Sequence, residues 1–271
     1  METGVAQKPI QDMKTYKEEL KARFYPSSAV MSRIFHKIRS HAPRIVFPES
    51  NSSRILLAVE QIAQSNIARP VLIGNPEEIY HKASEIDISL QGIEVIHPGN
   101  NVHFHTMVEE LYSRRSRKGM TKEKAERLIR TNHDYIGAMM VEIGACDGMV
   151  SGLTRAYPEV IRPVIECIGT KTEDEALCAV YMIFKGKDPY FFADTAVHVN
   201  PNAEELARIA VTVSDFVKQL DIAPRVAMLS FSSFGSARSK ESSEVAKAVQ
   251  RAKSIRPNLM IDGEMQVEHA L

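Results

Sequence analysis

Short apolar runs alternate with amphipathic stretches through the first half of the chain. Arg44–Phe47 (RIVF) reads as a buried strand closed by Pro48-Glu49-Ser50, and Pro70–Ile73 (PVLI) as a second closed by Gly74-Asn75-Pro76. Ser53–Asn66 and Glu77–Ala83 carry apolar residues at helical spacing, with Asn51 or Ser52 placed to cap the first. A third strand is expected at Ile93–Ile96. Strands of four or five apolar residues separated by helices predict a parallel sheet covered by helices on both faces, with right-handed crossovers and a ligand crevice at the strands' carboxyl ends. Helices are then expected over Thr106–Arg115, over Lys122–Thr131 with Thr121 as cap, and over His133–Gly144, followed by a strand at Gly148–Val150. Ahead of the first strand, Met1–Arg23 is polar with weak periodicity. It predicts a linker or one exposed helix (Thr15–Phe24), with a short helix following at Val30–Ile38.

The pattern changes after the polar run Gly169–Asp174, which we take as a domain seam. Ala176–Phe184 and Tyr190–Ala193 flank Lys185–Pro189 and predict an antiparallel hairpin of two largely buried strands. Asn202 caps a long amphipathic helix, Ala203–Leu220. A strand at Arg225–Leu229 opens into Ser230–Ser236, and a helix (Ser243–Ile255) and a strand (Leu259–Ile261) follow. The expected fold class is α/β, with two α/β lobes of mainly parallel sheet and an antiparallel hairpin in the second. The division is a linker over 1–27, a first lobe over 28–172 and a second over 173–271. A unit that stops one step after a sheet strand, without a closing helix, reads as C-terminally truncated.

Composition narrows the function classes. The chain has 271 residues, 44% hydrophobic and 25% charged, with 34 Lys+Arg against 34 Asp+Glu, so nothing in the balance argues for nucleic acid or an anionic membrane as partner. No apolar run is long enough to cross a bilayer, and the first residues carry no apolar signal core. Cys146, Cys167 and Cys178 are widely spaced among apolar residues, which excludes a CxxC redox or zinc motif and fits reduced, buried thiols of a cytoplasmic protein.

The most informative stretch is Gly148–Glu166. A strand ends at Ser151-Gly152 and feeds a helix whose first turn holds Pro158, so backbone N–H groups at the helix start are expected to attract an anion. Thr154, Arg155 and Arg162 add hydroxyl and guanidinium donors, and guanidinium matches phosphate oxygens two at a time. The competing reading is a surface turn with two solvated arginines. Ser230–Ser236 is a second turn of anion-cradling type, without the Gly-Lys-Ser/Thr ending of a Walker loop, a G-x-G-x-x-G run or the G-x-S-x-G of a serine hydrolase. Arg114, Arg115, Arg117, Lys118, Lys122 and Lys124 gather at a helix break, either solvated or facing a phosphate-rich ligand. Asp194, near Asn200-Pro201, follows a strand and either serves a cleft or closes a loop. His103 and His105 lack a further ligand nearby, and no metal site is expected. Together these features argue for a phosphate-bearing ligand held between the lobes.

Several blocks in order resemble the phosphate acetyltransferase (phosphotransacetylase) family. They are Ser151–Pro163 (SGLTRAYPEVIRP), Phe192–Thr195 with Asn200-Pro201 and Glu204–Ala210, Pro224–Ser230, Phe234–Ser236, Pro257–Glu264, and Leu111-Tyr112 through Thr121. The SGLTRxYPEVxRP form, Asp262-Gly-Glu-Met265 and the segment Gly4–Tyr16 are similar to the phosphotransacetylase-like C-terminal domain of hybrid bacterial NADP-dependent malic enzymes. The resemblance covers roughly Ser28 to the end. It implies an isocitrate/isopropylmalate dehydrogenase-like phosphotransacetylase fold, and a chain that is part of a longer, homo-oligomeric malic enzyme. In that parent, oxidative decarboxylation of malate, with NADP and a divalent metal, would belong to residues before Met1.

The acetyltransferase mechanism that the resemblance implies uses an Asp base on the coenzyme A thiol, with arginines balancing phosphate charge. Arg115 and Arg162 fall on two of those arginines, while the Asp would lie beyond Leu271. Ser50 stands where the family has Gly, and Ser116 and Arg117 where it has Lys and His. The implied ligands are acetyl-CoA or CoA and acetyl phosphate, with Arg115, Ser151, Thr154, Arg162, Ser230 and Ser236 as binding residues. Three functions follow as alternatives: an acetyl-CoA-binding allosteric domain that supports oligomerisation, an active phosphate acetyltransferase, or a structural oligomerisation module.

Overall fold

The computed structural model describes residues 41–170, 177–186 and 188–271, together with positions 12, 31 and 34. The expected helix Thr15–Phe24, and Val30–Ile38 apart from the helical Met31 and Ile34, lie outside the described residues. Two compact units emerge, one ending at Gly169 and one running from Thr170 to Leu271.

In the first unit, β1 (Arg44–Phe47), β2 (Arg69–Ile73), β3 (Glu94–Ile96) and β4 (Gly148–Met149) form one parallel sheet in the order β3-β2-β1-β4. The chain steps outward from β1 to β3 and returns on the other side of β1, so the direction of winding reverses between β1 and β4. Such a reversal is where open sheets of this kind place their ligand crevice, at the strands' carboxyl ends. Alternate side chains leave on opposite faces. Val46, Val71, Ile73 and Ile96 pack with Met107, Leu111, Ile129, Ile136 and Met139. Phe47 and Leu72 pack with Leu56, Val59 and Ile79 on the other face. Both faces are thus dry, which is why the strands read as unbroken apolar runs.

Three of the helices in this unit start where the sequence supplies a side-chain cap. α1 (Ser53–Ser65) begins after Ser52, whose side chain makes no capping bond. For α2 (Pro76–Glu85), Asn75 accepts from the Glu77 amide at 3.0 Å. α3 (Phe104–Arg115) ends in a single 3₁₀ turn, Ser116–Lys118. Thr121 caps α4 (Lys122–Thr131) through the Lys124 amide, and Asn132 caps α5 (His133–Glu142) through the amides of Asp134 and Tyr135. α5 is buried continuously from Asp134 to Met140. α6 (Tyr157–Cys167) starts with proline in its first turn and holds Pro163 inside.

The second unit contains the antiparallel hairpin β5 (Val180–Lys185) and β6 (Asp188–Ala193), α7 (Ala203–Gln219), the parallel pair β7 (Arg225–Leu229) and β8 (Met260–Met265), α8 (Lys240–Ile255) and the short α9 (Val267–Ala270). Asn202 and Glu205 close a capping box on α7. The hairpin corrects one expectation. Its strands are not largely buried: Val180, Phe191 and Ala193 pack on Ile209, Val213 and Val217 of α7, whereas Tyr181 (59% exposed), Ile183 and Phe192 face outward. Only one face of a two-stranded ribbon has a helix beneath it, and the apolar run hid that alternation. Element boundaries also move. α8 begins at Lys240, where Ser239 caps it, and β8 continues through the polar Asp262-Gly263-Glu264.

Gly263 is required by the close approach of β7. It sits at φ +136°, and a Cβ there would lie 2.5 Å from the Met228 carbonyl oxygen. Gly263→Ala is therefore expected to destabilise the chain by about 2–3 kcal/mol, through strain and overpacking together. A urea midpoint equal to wild type would refute this.

Cys146 and Cys167 are buried, and burial pushes their thiols up to about 11 and about 12. Cys178 is only half-buried, which amends the expectation for that thiol. Among the described residues no helix is long and apolar enough to cross a membrane.

Candidate functional site

The Ser151 loop falls at the carboxyl ends of β1 and β4, where the winding reverses, and its backbone donors already have an anion. Glu49, two residues past β1 and 8% exposed, reaches across to the loop that follows β4. Its carboxylate accepts from the amides of Gly152, Leu153 and Thr154, each at 2.7 Å, and from the Thr154 hydroxyl at 2.5 Å. Burial alone would push this carboxyl up. The Thr154 hydroxyl and the amides of Leu153, Thr154 and Gly152 outweigh it and hold the group at about 2. The expected free N–H groups are therefore present as a cradle, but Glu49 is their partner.

A second buried carboxylate anchors the rest of the loop. Asp134 is fully buried in the first turn of α5, where the amide-rich helix start favours negative charge. It accepts from the Ser151 hydroxyl at 2.7 Å and from the Arg155 guanidinium at 2.8 Å. Next to it, His133 Nδ1 lies 3.1 Å from the Pro48 carbonyl oxygen, which can only accept, so Nδ1 carries the proton. Burial first, and the nearby Arg155 charge, hold the His133 ring below its ordinary value. Ser50, 1% exposed, donates to the Phe47 carbonyl at 2.7 Å and accepts from the Ile73 amide at 2.9 Å. Ser50 thus ties the ends of β1 and β2 together.

The arginines lie on the helices beyond. Arg115 ends α3, and its guanidinium sits 3.7 Å from the Glu166 carboxylate on α6. Glu166 also accepts from the Tyr135 hydroxyl at 2.5 Å. Burial, first, and then Glu166 raise the phenol's pKa, while the charge of Arg162 works in the opposite sense. Arg162 stands one helical turn before Glu166, on the same face of α6. Arg115 thus meets the Tyr135–Glu166 pair directly, whereas Arg162 acts on it only as a nearby charge. Arg162 is exposed and has no ion-pair partner among the described residues. The basic cluster around the helix break is matched by carboxylates in part: Arg114 binds Glu110 and Glu142, and Lys122 binds Glu109.

Ser230 and Ser236 belong to the second unit, in a turn built on the same plan. Glu264, 5% exposed on β8, accepts from the Gly235 amide at 2.7 Å and the Ser232 hydroxyl at 3.1 Å, in the loop after the neighbouring parallel strand β7. The Gly235 amide chiefly holds this carboxyl below its usual range. The Ser236 hydroxyl accepts from the Ser233 amide at 3.0 Å, and the Ser230 amide donates to the Met265 carbonyl. Asp194, at φ +56°, pairs with His198 at 2.8 Å within its own loop. Among the described residues no group of three or more His, Cys, Asp or Glu is placed to hold a metal ion.

Sequence reasoning found the donors and missed the acceptors Glu49, Asp134, Glu166 and Glu264. Glu49 carried only one local signal, its place at the punctuated end of a strand.

Residues 29–271 match the family described as phosphate acetyl/butaryl transferase. A phosphate acetyltransferase of Bacillus subtilis (strain 168) is 37% identical over 241 residues, 89% of this chain and 74% of that protein. An NADP-dependent malic enzyme of Rhizobium meliloti (strain 1021) is 36% identical over 274 residues, which is 100% of this chain but only 36% of that enzyme. A phosphotransacetylase from Streptococcus pyogenes has a similar structure, with a TM-score of 0.82 at 32% identity, covering 90% of this chain and 74% of its own. With the family match running over residues 29–271 and a relative 37% identical along most of its length, the chain belongs to the phosphate acetyl/butaryl transferase family.

Proposed function

We infer that this phosphotransacetylase-like domain binds a CoA thioester, acetyl-CoA, as an effector within a malic enzyme and supports its oligomerisation, with Arg115 and Arg162 carrying the ligand's phosphate charge. One observation carries the reading. The malic-enzyme alignment runs along the whole chain, including the residues before 29, whereas the acetyltransferase alignment covers 89% of it. The internal pairing of the loop donors supports the assignment of the phosphate to guanidinium groups, since the Gly152–Thr154 amides are already bonded. Ser151 and Thr154 then act by shaping the loop through Asp134 and Glu49. In such a parent, NADP-dependent oxidation of malate would fall to the part outside this chain.

Calorimetric titration of the chain with acetyl-CoA is expected to show binding, and Arg162→Ala is expected to weaken it about tenfold, as for loss of one charge-assisted contact. No heat at millimolar acetyl-CoA would dispose of the reading. A thiol-coupled assay with acetyl phosphate and CoA separates it from the transferase alternative: turnover would favour transfer, and no turnover alongside binding would favour the effector.

A further inference from the structure

Arg115, one of the two arginines assigned to the ligand, meets a carboxylate that no part of that reading requires. Glu166 sits one turn from Arg162 and 3.7 Å from the Arg115 guanidinium, with its side chain 20% exposed and that of Arg115 22%. It does not hang free in solvent. The hydroxyl of Tyr135, a residue 6% exposed, donates to its second oxygen at 2.5 Å and fixes it where it faces Arg115. A phosphate arriving at Arg115 competes with this anion, and at a partly buried site a competing unit charge a few ångströms away is only weakly screened. The neighbouring Arg114 does not relieve that competition, because it is bonded to Glu110 and Glu142.

We propose that Glu166 is the resident counter-ion of Arg115, a positioning residue that holds the guanidinium in place and sets the affinity of this site for phosphate-bearing ligands by having to be displaced or outbid. The proposal rests on the phosphate-holding role of Arg115 and Arg162. A ligand with a single diffuse charge gains little over the carboxylate already present. A phosphate group, with more charge and two oxygens in guanidinium geometry, gains more. Glu166 thereby filters for phosphorylated ligands over simple carboxylates.

The test uses Glu166→Gln, which keeps the shape and leaves an amide oxygen for the Tyr135 hydroxyl while removing the charge. Calorimetric titration with inorganic phosphate and with acetyl-CoA should show affinity rising about tenfold over wild type. Acetate, a carboxylate probe, should now bind where wild type does not take it. A purely structural residue would not produce a gain, and Glu166→Ala serves as a second variant of the same sign should glutamine perturb packing. If wild type binds acetyl-CoA and Arg162→Ala weakens it, but neither Glu166 variant tightens phosphate, the counter-ion role is overturned while the effector reading stands. If neither wild type nor any Glu166 variant binds phosphate or acetyl-CoA, both fall together.

Discussion

Glu49→Gln is expected to lower the stability of the chain at pH 7 by about 3 kcal/mol. The carboxyl goes from an ordinary 4.5 to about 2 on folding, and each unit is worth about 1.4 kcal/mol. The group is 8% exposed, so solvent relieves little of that difference. Glutamine is a poor substitute because one of its two terminal atoms is a donor. An NH₂ would face the amides and hydroxyl that the carboxylate now accepts from. The pH dependence follows from the direction of the shift. A carboxyl depressed on folding contributes fully above about 4.5, and that contribution drains away as pH falls towards about 2. Urea denaturation at pH 7 should therefore separate wild type from Glu49→Gln widely, and at pH 3 the gap should narrow. An equal gap at both values, or none at pH 7, would mean that the carboxylate does not pin the loop.

Arg155→Ala is expected to cost about 3 kcal/mol or more, and Asp134→Asn clearly less, about 1–2 kcal/mol. The asymmetry comes from exposure: the Asp134 side chain is 0% exposed and that of Arg155 is 35%. Removing the arginine leaves a buried carboxylate with the Ser151 hydroxyl and no opposite charge, the expensive way to break such a pair. Removing the carboxylate leaves a guanidinium that can turn towards water, while the Asn oxygen still accepts from Ser151. Thermal unfolding of the two variants decides the matter, and the reverse ordering would show that Asp134 is not the buried partner.

How far these features were legible depends on the range of the interaction. RIVF and PVLI declared themselves as strands because both faces of the sheet are covered, and Thr121 and Asn202 declared themselves as caps because capping is a matter of three residues. The hairpin was harder. Tyr181-Met182-Ile183-Phe184 is apolar at every position, so nothing in the pattern says which half faces α7. The candidate loop was half legible. Ser151, Gly152 and Thr154 carry the marks of an anion-cradling turn, and the turn does cradle an anion. Its occupant lies 103 to 105 positions away along the chain, and it came to the loop only because β1 and β4 are neighbours in the sheet. The Glu264 turn repeats the lesson: its serines were visible, while the carboxylate on the adjacent strand was read only as part of a block resembling the family.

The central claim is that the Gly152–Thr154 amides belong to Glu49, leaving ligand phosphate to the arginines. Residue-resolved amide hydrogen exchange tests it most directly. The three amides should exchange slowly in wild type and fast in Glu49→Gln, and millimolar acetyl-CoA or phosphate should leave their wild-type protection unchanged. Fast exchange in wild type, or protection that appears only when phosphate is added, would contradict the account and return the loop to the ligand.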